Sequence, residues 1–159
     1  MKHQTITIRK ARRDDAPAAF DIRNRAIRHG CRNDYSAEQL QRWTDGPLSE
    51  GFANTVTHHF YVAEITGVVV ATGMINLYTG MIDALFVKPE VMGKGVGKQV
   101  LHHLETLAHT AGLREVRLDA SLNAAPFYRA QGFSGEKTSL YHSPRGFSLP
   151  CIPMIKSIG

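Results

Sequence analysis

Apolar residues recur along this chain with two different periods, and the changes between them mark out its elements. TITIRKA (residues 5–11) alternates apolar and polar side chains, the period of a strand with one buried face. The period then lengthens to that of a helix. Ala19, Phe20, Ile22, Ala26 and Ile27 follow Asp14 or Asp15 as N-cap, with Pro17 in the first turn and Gly30 as the stop. A second helix is predicted from Ser36, where Ser36 and Gln39 make a capping box ahead of Leu40 and Trp43. DGPLSEGFAN (45–54) carries no period and reads as a loop.

From His58 to Pro89 the pattern predicts three successive strands, broken at Gly67 and again at Thr79-Gly80. The last strand, MIDALFV, ends at Pro89. A glycine run leads into a helix with Val96, Val100, Leu104, Leu107 and Ala111 on one face, closed by Gly112. The strand EVRLDA, a short helix over about Ala124 to Ala130 with Gly132 as its stop, and strands near 134–141 and 148–155 complete the chain. No repeat, linker or low-complexity segment interrupts it, so residues 1–159 read as a single domain. The order is α+β: an antiparallel meander, one β–α–β crossover and a C-terminal hairpin, about seven strands with flanking helices.

Composition narrows the function classes. With 43% hydrophobic and 21% charged residues among 159, the chain can bury a core. It carries no apolar run of membrane-span or signal-peptide length, so a soluble, cytoplasmic protein without a membrane partner is expected. Cys31 and Cys151 stand alone, without metal-ligand spacing. The net charge of +5 raises the question of nucleic acid, but the basic residues are scattered and RRDD (12–15) balances itself. A small anionic ligand suits the surplus better.

The run VMGKGVGKQVL (91–101) is where such a ligand would bind. A strand passing through glycines into a helix leaves unpaired N–H groups at the positive end of the macrodipole, and Lys94 and Lys98 add charge. It is not a Walker loop, since Gln99 follows Gly97-Lys98 and Met92 stands in the first glycine's place. It is not a dinucleotide fingerprint either. Lys98 occupies the third glycine's place and the run lies mid-chain, although Asp119 stands about where a ribose-binding acid would. A ligand-free turn is the plain alternative.

A second segment, SLNAAPFYRAQGF (121–133), decides between them. Together with LFVKPEVMGKGVGKQVL (85–101), it resembles the paired motifs of the GNAT superfamily, the acetyl-CoA-dependent N-acetyltransferases: a [QR]-x-x-G-x-[GA] loop after a strand ending V-x-P, then Asn and Phe-Tyr ahead of Gly-Phe. The order of elements is similar to that fold as well. The resemblance implies a mixed, mostly antiparallel sheet and acetyl-CoA as co-substrate, with no metal. It implies a pantetheine arm lying against Leu85, Phe86 and Val87, with a Val87 or neighbouring N–H as oxyanion donor. Met92, Gly93, Lys94, Gly95, Val96, Gly97 and Lys98 would hold the pyrophosphate, and Asn123 the pantetheine or the backbone beside it. Tyr128 would protonate the leaving thiolate as general acid, whereas Phe127 and Phe133 read as core. Met92 departs from the family's Gln or Arg, but contacts there are mainly through the backbone.

The base is less marked. Asp83 is the acid on the LFV strand, and alternation puts it on one face with Leu85 and Val87; Glu64 is the other candidate. His58, His59, His102, His103 and His109 lack zinc spacing and read as solvated surface. The resemblance places an acceptor pocket among the first two helices and the last hairpin, with Arg28, His29, Tyr35, Trp43 and His142 as candidates; Tyr35 and Trp43 can equally staple the second helix to the core. The acceptor would be a primary amine of a small molecule or peptide, and edge strands leave room for a homodimer. A non-catalytic acyl-CoA-binding sensor is the alternative, but it would not need Tyr128.

Overall fold

The alternating stretch at residues 5–11 forms β1 (Ile6–Lys10), and one 3-10 turn leads from it into α1 (Ala16–Gly30). The computed structural model describes residues 5–159, so the first four residues of the N-terminal stretch lie outside it. Asp15 precedes α1 but does not cap it with its side chain. Its carboxylate accepts from the Arg12 N–H at 2.7 Å and from both Arg9 guanidinium nitrogens at 2.8 and 3.0 Å, which holds its pKa below the ordinary value. Helix α2 (Ala37–Thr44) starts with the reciprocal Ser36–Gln39 capping box that the sequence predicts.

Residues 50–59 depart from the expected loop and strand start. They form α3 (Glu50–His59), so the strand begins only at Phe60. Ser49 Oγ accepts from the Phe52 N–H at 3.0 Å, and Ala53 and Val56 are buried on the inner face. Gly51, Asn54, Thr55 and Thr57 are weak helix formers, and tertiary packing supplies what local propensity withholds.

Strands β2 (Phe60–Ile65), β3 (Val68–Ile75) and β4 (Ile82–Val87) follow as a meander and extend β1 into a four-stranded antiparallel sheet, order β1-β2-β3-β4. After α4 (Val96–Thr110) come β5 (Glu115–Ala120), α5 (Ala125–Ala130), β6 (Ser139–His142) and β7 (Ser148–Ser157). The last three strands form a second antiparallel sheet, order β5-β7-β6. Ser134 reaches β7 only through an isolated bridge to Ile155, so the strand expected over 134–141 shortens to β6.

The two sheets meet at one point. Met81 and Arg117 make a single parallel bridge, and the Arg117 N–H donates to Gly80 O at 2.9 Å. Gly80 sits at φ +77, and a Cβ there would lie 2.8 Å from Glu115 O, so only glycine both turns the chain and lets β4 approach β5.

The main core lies between the sheets and α4. Val96, Val100, Leu101, Leu104 and Ala108 are the buried residues of that helix. Ala111, expected on this face, is exposed beyond the helix end; Leu101 and Ala108 turn inward instead. His103 also departs from expectation. It is half-buried against Tyr61, with ring centroids 5.0 Å apart, and its Nε2 is buried without a partner among the described residues. Burial lowers its pKa. Two smaller clusters pack α1 and α3 on β2, and the end of α1 on Tyr35 and Leu149.

Candidate functional site

Beyond the Met81–Arg117 bridge β4 and β5 have no further pairing, and a cleft of about 590 Å³ opens between them. β4 is the last strand of its sheet, so the edge it turns to this cleft keeps main-chain N–H and C=O groups free of a strand partner. A bulge shapes that edge. Thr72 pairs with Phe86 and Met74 with Asp83, leaving Ala84 and Leu85 both opposite Gly73. Ala84 takes φ +58, and the fully buried Thr72 hydroxyl donates to Ala84 O at 2.7 Å.

The bulge corrects one expectation from strand alternation. Ile82, Leu85 and Val87 pack into the core under α4, whereas Asp83 shares the other face with Phe86. One inserted residue inverts the side on which every later side chain points.

At one end the cleft is closed by the glycine loop and the first turn of α4. Gly93 and Gly95 both sit at φ +81, and a Cβ at either would meet nothing within 4 Å. Their glycine identity answers a left-handed backbone rather than crowding, and it leaves the loop surface open. Gly97 is different: its Cβ would touch Val87 and Phe127 at 3.4 and 3.5 Å, within the cleft. The Gln99 N–H is the first in α4 to find a helical partner, Gly95 O at 3.1 Å. The N–H groups of Val96, Gly97 and Lys98 therefore precede the helical ladder, at a site suited to an anion. Met92, Gly93, Gly95, Val96, Gly97 and Lys98 line the cleft; Lys94 is exposed outside its lining, and Met92 is 41% exposed.

Tyr128 projects from α5 into the cleft, 8% exposed, between the rings of Phe127 and Phe133. Burial raises its pKa far above that of a free phenol, so it stays protonated. None of the hydrogen bonds among the described residues uses its hydroxyl, which keeps that group available to a ligand. Phe133 is core, as its spacing suggests, but Phe127 lies along the cleft beside Gly97. Phe127 and Tyr128 are adjacent on α5 and so point about 100° apart, which leaves Phe127 36% exposed while Tyr128 is buried. Asn123 also lines the cleft. Its Oδ1 accepts from the Cys31 thiol at 3.1 Å, and burial pushes that thiol up to about 11.

Two carboxylates line the cleft, Asp83 from β4 and Asp119 from β5. The walls displace water around Asp83 and the charge of Asp119 adds to the effect, so the Asp83 pKa lies above the usual range. Glu64, the other candidate base, is elsewhere, paired with Arg9 at 3.1 Å. Arg9 holds Asp15 and Glu64 together, which makes Glu64 a structural carboxylate.

Of the acceptor-pocket candidates, Trp43 lines the cleft and the other four do not. The Tyr35 hydroxyl donates to Pro150 O at 2.6 Å and accepts from the Leu122 N–H at 3.1 Å, tying α2 and β7 to the end of β5; burial raises its pKa to about 12. Arg28 Nε donates to Thr44 Oγ1 at 3.1 Å, His142 Nδ1 lies 2.8 Å from Ser148 Oγ on the exposed hairpin, and His29 is exposed. Residues that sequence reasoning did not assign also line the cleft: Ala26, Ile27 and Gly30 from α1, Cys31 just after it, Asp119 from β5 and Ser121 just beyond that strand. The alternation of EVRLDA put Asp119 opposite the buried Val116, Leu118 and Ala120, a signal without a direction until β4 is placed beside it.

A strand edge, a glycine loop, a helix N-terminus and a buried phenol meet around one cleft, and comparison with known proteins agrees with that geometry. Residues 28–133 match the Acetyltransferase (GNAT) family. The chain is 30% identical over 132 residues to the uncharacterized N-acetyltransferase YafP of Escherichia coli K12, covering 83% of each chain. It is 34% identical over 82 residues to the IAA acetyltransferase of Azospirillum brasilense, a match that spans 47% of this chain and only 54% of that protein's length. A GCN5-related N-acetyltransferase from Rhodopseudomonas palustris superposes with a TM-score of 0.89 at 29% identity, over 99% of this chain and 98% of that one. PaiA N-acetyltransferase from Thermoplasma acidophilum, solved with coenzyme A, shares the fold at a TM-score of 0.77 and 21% identity, over 96% and 99% of the two chains.

Proposed function

Since the chain belongs to the GNAT family and is an acetyltransferase, we propose that it transfers the acetyl group of acetyl-CoA to a primary amine by direct attack in a ternary complex. The observation that carries this reading is the single cleft shared by the open edge of β4, the N-terminus of α4 and the hydroxyl of Tyr128. The residues suit acetyl-CoA. Gly93 and Gly95 leave their loop open, the first α4 N–H groups and Lys98 offer charge to a pyrophosphate, and the free edge of β4 offers amide partners to a pantetheine arm. The coenzyme A bound by the Thermoplasma relative supports the same assignment.

Acetyl-CoA supplies an activated thioester, and the chain supplies proton control around it. The β4 edge near Val87 is assigned to the carbonyl oxygen, where a main-chain N–H stabilises developing negative charge. Asp83 takes a proton from the ammonium of the acceptor, leaving a neutral amine to attack; burial and then the charge of Asp119 raise its affinity for that proton. As the new C–N bond forms and the C–S bond breaks, the Tyr128 hydroxyl donates its proton to the leaving sulfur, and the proton shed by the acylated nitrogen restores the phenol. The same dry surroundings that raise the phenol's pKa also raise that of a thiolate beside it, so the pair stays matched. Asn123, held by Cys31, is assigned to the pantetheine arm.

The test is a thermal shift of the purified chain with acetyl-CoA, CoA, NADH and ATP in parallel. At about a hundred times its dissociation constant a ligand stabilises by about 2.7 kcal/mol, several degrees for this size. A shift confined to acetyl-CoA and CoA is expected. A shift with NADH or ATP alone defeats the assignment.

A further inference from the structure

Six of the arginines, at positions 9, 12, 13, 25, 117 and 129, each have a carboxylate within 4 Å. The other six have none among the described residues, and four of those, Arg23, Arg28, Arg42 and Arg145, lie together. Arg23 Nη2 donates to Trp43 O at 3.1 Å, Arg145 donates to Asp45 O at 3.0 Å and to Arg42 O, and the guanidiniums of Arg42 and Arg145 stand 5.6 and 5.5 Å from the centre of the Phe147 ring. With Arg28, whose Nε donates to Thr44 Oγ1, four cations thus converge on the C-terminal end of α2, at the rim of the cluster against which Trp43, Phe86 and Phe147 pack. Trp43 and Phe86 are also walls of the cleft. On α1, Arg23 lies one turn before Ala26 and Ile27, which line it.

We infer that the acceptor amine also carries a carboxylate, as an amino acid does, and that Arg23 and Arg145 bind it at the α1–α2 end of the cleft. This rests on the acetyltransferase reading above and names its substrate class. The carbonyls at the end of α2 account for only part of the arrangement. Arg23 uses two of its five N–H groups, on Asn24 Oδ1 and Trp43 O, and Arg145 uses two on carbonyls. One cation satisfies the dipole of an eight-residue helix; four exceed it. Asp45, the carboxylate nearest in sequence, turns its Oδ1 to the Gly46 N–H instead.

Arg23 is half-buried, and loss of solvent together with the charge of Arg145 lowers its pKa, with Tyr141 opposing the shift. A bound anion would relieve both. A carboxylate suits the fork of a guanidinium and costs less to desolvate beside Trp43 than a doubly charged phosphate. Neither arginine lines the cleft itself; Arg23 adjoins its wall through Trp43 O, and the lining carries the opposite sign at Asp83 and Asp119. A zwitterion with its ammonium toward the acids and its carboxylate toward the arginines matches both.

The test measures CoA release with acetyl-CoA and three matched panels: the L-amino acids, their α-carboxamides and the corresponding decarboxylated amines. At least one amino acid is expected to exceed its amide and its amine by tenfold or more in kcat/KM. Arg23→Gln and, separately, the exposed Arg145→Gln should shrink that preference tenfold or more through the KM of the acid, and Arg→Lys at either position should restore part of it. Retention of the acetyl-CoA thermal shift by each variant establishes that it is folded. Amides or simple amines used as well as the acids, no acid used at all, or variants that lower acid and amide equally would each overturn the inference. A missing acetyl-CoA shift in the unsubstituted protein defeats the underlying acetyltransferase assignment instead.

Discussion

At the α4 end of the cleft the groups that face a ligand are mostly main-chain atoms: the loop at Gly93 and Gly95, the first N–H groups of the helix and the open edge of β4. At the α1–α2 end they are side chains drawn from distant segments, with Trp43 and Asp83 in the wall and, on the inference above, Arg23 and Arg145 beside it. On this reading the contrast predicts that Met92 leaves the loop able to bind. A site built from amides tolerates side-chain change as long as its backbone dihedrals survive. A site built from side chains changes its ligand with each substitution. The first construction suits a cofactor shared by a family, and the second suits an acceptor peculiar to one member.

The sharpest way to break this comparison is at the junction of the two halves. Tyr128→Phe keeps the ring and its packing and removes only the hydroxyl to which we assign the proton transfer. Its kcat should fall by about 10²–10⁴ with the acetyl-CoA dissociation constant nearly unchanged. A fall in affinity instead of rate would make the phenol a binding group.

Asp83→Asn comes next, with an expected loss of about 10² in kcat/KM. The base must be ionised, so the acid limb of the pH profile should inflect above the ordinary Asp value of about 3.9, because burial and then Asp119 raise this carboxyl. Asp119→Asn should move that limb to lower pH. The stability sign runs the other way. A raised pKa means that the folded chain holds its proton more tightly than the unfolded chain, so stability falls as pH rises through this range. At neutral pH Asp83→Asn should therefore melt higher than the parent while turning over more slowly. Glu64→Gln, which disturbs only the Arg9 knot, should leave the profile in place.

The smallest effect separates backbone from side chain most cleanly. Gly97 sits in the first turn of α4, where alanine is worth up to about 1 kcal/mol to the helix, and its new Cβ would make ordinary contacts with Val87 and Phe127. Gly97→Ala should raise the melting temperature and weaken acetyl-CoA binding by about tenfold, since the methyl group enters the cleft beside the pyrophosphate loop. Equal affinity would mean that the ligand does not approach the first turn of the helix.

Much of this molecule could be read without its coordinates, and the pattern of what could not is physical. The meander, α4, β5 and the paired motifs are local: each depends on residues within one or two turns, so periodicity and glycine placement announce them. Helix α3 was hidden because Gly51, Asn54, Thr55 and Thr57 argue against it locally, and only the contacts of Ala53 and Val56 argue for it. The side on which Asp83 points was hidden by a bulge that one buried hydroxyl, Thr72, holds in place from a neighbouring strand. His103 reads as solvated from its helix position alone, and the Tyr61 ring from a neighbouring strand is what half-buries it. Tyr35 and Trp43 left open whether they were pocket or staple; packing made Tyr35 the staple and put Trp43 in the cleft wall.

By itself, the sequence determined the family, the order of elements and the loop that suits coenzyme A, because main-chain sites are encoded by short runs of residues that permit particular dihedrals. Tertiary structure alone decided which carboxylates line the cleft, which aromatic is core, and that Arg23, Arg42 and Arg145 share one end of α2. Those facts depend on residues as many as a hundred positions apart being brought together, and no local pattern of charge or hydrophobicity carries that distance.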